Sequence, residues 1–149
     1  MLSFTFTHRK KGFLPNLIQW FQGGKYNHVI IGVDGVYFEA IGGRPFGVNG
    51  VVMSPDKFSY HKGKYQVDDH ETIYLGSTDV ATDLVYTYLA SKVGSGYDIK
   101  NFISYALRWL KGDAAKYTCV ELALSAYEIA KGKEFELKYT VQEFYELIK

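Results

Sequence analysis

A single cysteine, Cys119, stands directly after a threonine in the stretch YTCVELALSAYEIAKG. Thr118 and Glu121 have the spacing of a capping box. In that motif the threonine hydroxyl accepts from the amide three residues on, and the glutamate accepts from the amide of the cap residue itself. Cys119 is then the first residue of a helix, its sulfur beside unpaired amides and the positive end of the helix dipole, a setting that favours thiolate over thiol. A small hydrophobe facing the core explains the same residue as well, so a partner base has to decide between packing and chemistry.

His28 is the candidate base. The run NHVIIGV-DG-VYFEAI holds two β-rich segments joined by Asp34-Gly35, the dipeptide of type I′ hairpin turns. With a two-residue turn, Ile30 faces Glu39 and His28 faces Ile41. Side-chain alternation then puts His28 and Glu39 on one face as diagonal neighbours, roughly 7–8 Å apart along the backbone, within reach for a carboxylate to orient an imidazole. A thiol, an imidazole and a group that holds the imidazole form the general triad arrangement. Each residue alone has a plainer reading, a strand-edge histidine and a solvated carboxylate. Chemistry is favoured by Val29, Ile31, Val33, Phe38 and Ala40, which load the opposite face with core residues.

Other polar clusters carry less. The run Asp68-Asp69-His70-Glu71, with His61 nearby, lacks regular metal-ligand spacing and reads as an exposed loop leading into a strand. His8 beside Arg9, Lys10 and Lys11 reads as a solvated turn. Asp98 reads as the N-cap of a following helix. The glycines of FEAIGGRPFG and VGSGYD have no phosphate-loop spacing to a Lys-Ser/Thr pair. No metal and no cofactor are expected.

The elements that must position Cys119, His28 and Glu39 follow from periodicity. LSFTFT alternates like a half-buried strand, and PNLIQWFQ, between Pro15 and Gly23-Gly24, reads as a short helix. After the hairpin, GVNGVVMS, GKYQV and HETIYLG continue as strands. From Ser77 the period turns helical, with Val80, Leu84, Val85 and Leu89 assigned to one face and Gly94 as the stop. DIKNFISYALRWLKG gives a second helix over 99–111, TCVELALSAYEIAKG a third and TVQEFYELI a fourth. Strands first and helices last make the class α+β, an antiparallel sheet packed against helices.

The chain has 149 residues, of which 47% are hydrophobic and 17% aromatic, enough for one domain with its own core, 1–149. A net charge of +1, with both signs scattered, leaves no footprint for nucleic acid. One cysteine excludes an internal disulfide and suits a reducing compartment. The N-terminal stretch does not have the layout of a signal peptide, and no apolar run approaches the roughly 20 residues of a membrane span, so a cytoplasmic location is expected. HRKK followed by FLPNLIQWF could rest on a membrane surface, but an ordinary core-facing helix explains it better.

The pieces YNHVIIGV, VYFEA, GSGYD and YTCVELA, in that order, resemble the circularly permuted branch of the NlpC-type papain-like cysteine hydrolases. The resemblance is strongest to YiiX-like bacterial and phage proteins, with lecithin:retinol acyltransferase-type enzymes as distant relatives, and it spans roughly residues 14 to 145. It implies a papain-like α+β domain with the nucleophile at a helix N-terminus. It further implies that Cys119 is the nucleophile, His28 the general base and Glu39 its orienting group, with Tyr97 and Thr118 near the oxyanion. The substrate it implies is a peptide or peptidoglycan fragment, with acyl or lipid esters as the variant.

Overall fold

The computed structural model describes residues 1–11, 24–42, 44, 48–97, 116–135 and 139–149. The expected helices at 15–22 and 99–111, and Asp98, lie outside the described residues.

The alternating N-terminal run forms β1 (Leu2–His8), and all seven of its residues are buried. The alternation suggested one wet face. Instead β1 lies between two neighbours in the sheet, and the second face is covered as well. Ser3, Thr5 and Thr7 fill that face, with Thr5 Oγ1 hydrogen-bonded to Thr72 Oγ1 at 2.9 Å. His8, expected in a solvated turn, ends this strand and is buried.

β2 (His28–Val33) and β3 (Val36–Ile41) form the hairpin around Asp34-Gly35. Both turn residues take positive φ, 47° and 83°, as a type I′ turn requires. The pairs Ile31↔Phe38, Gly32↔Tyr37 and Val33↔Val36 have the expected two-residue register, but the ladder stops at Ile31. From there toward His28 the two strands part. β4 (Gly50–Ser54) and β5 (Asp69–Leu75) complete a five-stranded antiparallel sheet in the order β4-β3-β2-β1-β5. GKYQV, expected as a strand, instead turns through a 3-10 helix at Gly63–Tyr65. A two-residue parallel pair joins β6 (Gly96–Tyr97) to β7 (Lys116–Tyr117).

Among the described residues there are three α-helices: α1 (Asp79–Lys92), α2 (Cys119–Lys131) and α3 (Val141–Ile148). Each is capped by a threonine, and α2 and α3 have complete capping boxes. In α1 the buried residues are Thr82, Val85 and Leu89, while Val80 and Leu84 are 71% and 56% exposed. At about 100° per residue, positions 80 and 84 both lie on the side away from 82, which corrects the expected apolar face. The core joins one face of the sheet to α2 and α3. Phe4 and Phe6 of β1 meet Phe144 edge-on and tilted at 5.5 and 5.8 Å between ring centres, and Val29, Ile31, Phe38 and Ala40 extend this layer. Full burial of each such apolar side chain contributes about 1.5–3 kcal/mol.

Candidate active site

His28 opens β2 and Glu39 lies near the end of β3, where the strands have parted. His28 Nε2–H donates to Glu39 Oε2 at 2.6 Å, the same-face pairing that the hairpin geometry called for. The sequence reading did not place the second donor. His61, just before the 3-10 turn, gives its Nε2–H to the same carboxylate oxygen, also at 2.6 Å. The imidazole rings of His28 and His61 are 5.4 Å apart. Because Glu39 and His61 lie 22 residues apart with β4 between them, no periodicity could pair them, and the expected solvent-facing loop at 61 is corrected: His61 is buried.

The side chains of Glu39 and His61 are 4% and 6% exposed, and that of His28 16%. Burial alone would push the Glu39 carboxyl up, but hydrogen bonds from the two histidines outweigh it and hold the group at about 2. Burial pushes the His28 pKa down, against the pull of Glu39. At neutral pH the cluster is therefore a carboxylate that accepts from the neutral imidazole of His28 and from Nε2–H of His61. With Nε2 of His28 protonated, Nδ1 is its basic nitrogen.

The three ligand-type atoms lie within 4.8 Å of one another, close enough to ask whether a metal fits. The 2.6 Å separations are hydrogen-bond lengths. Ligands about 2.0–2.1 Å from a tetrahedral ion lie more than 3 Å apart. A metal on Nε2 of His61 would also move the ring proton to Nδ1, where it needs an acceptor. That atom is buried without a partner. The donor set fits a hydrogen-bonded cluster better than a metal.

Cys119 is the first residue of α2, with Thr118 as cap. The Thr118 hydroxyl accepts from the Glu121 amide at 3.2 Å and Glu121 accepts from the Thr118 amide at 2.9 Å. The helix N-terminal setting is as expected, but the state of the thiol is not. Cys119 is 3% exposed, and burial pushes its thiol up to about 12. Backbone amides of Val29, Val120 and Cys119 itself pull the other way, and the negative charge of Glu39 adds to the rise. The dipole and amides favour an anion there, but desolvation is larger. The Val29 amide is directed to the sulfur, beyond Ile31 where the β2–β3 ladder ends. The thiol thus sits beside the backbone that carries His28.

A cavity of about 50 Å³ opens at the parted end of the hairpin. His28, His61 and Tyr97 line it, together with Asn27, Arg9 and Arg44, whereas Cys119 and Thr118 do not. Tyr97 is 9% exposed and its ring lies against Gly42, where any Cβ would overlap it. The structure therefore brings His28, Glu39 and Tyr97 to one region and puts Cys119 behind it, against Val29.

Comparison with protein-family models, curated proteins and solved structures found no match to this chain.

Proposed function

We propose that this chain is a cysteine-dependent hydrolase of papain-like architecture, acting on amide or peptide bonds, with bacterial cell-wall peptides as the first substrate class. The observation that carries the reading is the 2.6 Å hydrogen bond from His28 to Glu39, on the strand whose Val29 amide meets the Cys119 sulfur. His28 Nδ1 takes the thiol proton as sulfur attacks the carbonyl carbon, and amides at the start of α2, with Tyr97 and Thr118, stand near the oxyanion. The proton passes to the leaving amine, a thioester remains on Cys119, and water activated by His28 releases the acid. An acyl or lipid ester would enter the same sequence, and transfer to an acceptor other than water is its variant.

Because the resting thiol is protonated and buried, turnover requires substrate binding to bring Cys119 and His28 together. That same burial favours a second reading, a non-catalytic binding protein in which Cys119 is a core residue. The experiment is intact-mass analysis after incubation with muropeptides or lipid esters. The hydrolase reading expects an acyl adduct on Cys119 and released amine or alcohol, both absent in a folded Cys119→Ala variant. Equal product from Cys119→Ala would end it, and absence of adduct and product from the wild type across both substrate classes supports the binding protein.

A further inference from the structure

Arg9 and Arg44 both line the cavity beside His28 and His61. They come from distant parts of the chain, yet each is held in the same way. Asn27 accepts from the Arg9 amide at 3.3 Å and donates to the Arg9 carbonyl at 2.9 Å. Asn49 does the same for Arg44, at 3.1 and 2.7 Å. Both guanidinium groups lie over the ring of Tyr65, Arg44 at 4.1 Å and Arg9 at 5.2 Å from its centre. The backbone of each arginine is clamped and its head group is stacked, so little side-chain freedom is left to lose on binding.

Arg44 is 6% exposed, and among the described residues its guanidinium makes no hydrogen bond or ion pair. Arg9 Nε is buried without a partner. Burial pushes both guanidinium pKa values down, and at Arg44 the nearby Arg9 adds to the effect while Glu39 opposes it. Asp68 favours the charge on Arg9 from a distance, but its Oδ2 accepts from the Lys10 amide. Glu39 favours the charge on Arg44, but its Oε2 accepts from the two imidazoles and, among the described residues, no ion pair joins it to either arginine. Two desolvated cations facing one cavity with no paired carboxylate leave donors that an anion would satisfy.

We propose that this cavity is an oxyanion-binding site in which Arg9 and Arg44 take a carboxylate or phosphate group, next to His28 and His61. Its volume holds roughly three to five water positions, the footprint of such a head group. The ligand is a small anion or the anionic end of a longer molecule. The site stands independently of Cys119. If the chain is a hydrolase, its substrate carries this anion close to the scissile bond.

The test is NMR titration of the whole chain with inorganic phosphate and, separately, with succinate, at constant ionic strength. Saturable shifts centred on Arg9, Asn27, His28 and Arg44 are expected with at least one of the two, and the tighter of them assigns phosphate or carboxylate. Arg44→Gln should weaken binding at least tenfold, and Arg44→Lys, which keeps the charge but loses the planar fork, by an intermediate factor. Cys119→Ala should bind like the wild type, so loss of hydrolase activity and loss of anion binding are separately visible. The proposal is overturned by absence of saturable shifts in the wild type with both anions, by shifts centred elsewhere, or by unchanged affinity in folded Arg44→Gln.

Discussion

Removal of the Glu39 carboxylate should be among the most costly single changes in this chain. One carboxylate oxygen accepts from His28 and His61 at 2.6 Å each, and its side chain is 4% exposed. Hydrogen bonds to a charged group contribute about 1.5–3 kcal/mol each, and loss of the shared acceptor leaves two imidazole N–H donors buried without a partner. Glu39→Ala should therefore lower the unfolding free energy by about 3–5 kcal/mol. Glu39→Gln keeps an acceptor but not the charge and should lose about 1–3 kcal/mol. Urea unfolding followed by far-ultraviolet circular dichroism reads both, with the slope unchanged. The pH dependence has a definite sign. Glu39 is held at about 2 against an ordinary 4.5, so its contribution is present above pH 4.5 and is lost as pH falls from there toward 2. His28 is pushed below its ordinary 6.5, so the unfolded chain binds the extra proton and stability also declines as pH falls below 6.5. In Glu39→Gln the loss between pH 4.5 and 2 should shrink, while the decline below 6.5 should deepen because the group that raises the His28 pKa is gone. An Ala variant within about 1 kcal/mol of wild type, or a Gln variant with an unchanged acid profile, would refute the assignment of Glu39 as the charged hub.

Two further experiments test the packing. Gly42→Ala should cost about 1–3 kcal/mol because the new methyl group overlaps the Tyr97 ring, and the cost should largely vanish in a Tyr97→Ala background when the double-mutant cycle is measured by urea unfolding. Val80→Lys and Leu84→Lys should each change stability by no more than about 0.5 kcal/mol, whereas Leu89→Ala should cost about 2–5 kcal/mol in the same assay.

Local chemistry made much of this protein legible. Asp34-Gly35 specified the turn, and the turn specified the register that puts His28 and Glu39 on one face, because a two-residue loop leaves no freedom in the pairing. The capping boxes at Thr118 and Thr140 specified two helix starts through contacts three residues apart. The α+β class followed from strands preceding helices. Where partners are distant in the chain, the sequence was silent or misleading. β1 reads as half-buried, but whether its Ser3-Thr5-Thr7 face meets water depends on what covers the sheet. Helical geometry sets Val80 and Leu84 roughly opposite Val85 and Leu89, so the four do not share a face, but which side is buried is selected only by docking. His61 reaches Glu39, and Arg9 joins Arg44 over Tyr65, across long stretches of chain that share no periodicity to read. The thiol of Cys119 shows the same division. Its position beside amides that favour an anion follows from a three-residue motif, whereas its pKa of about 12 follows from the desolvation that the assembled core imposes, which is a property of everything packed around it.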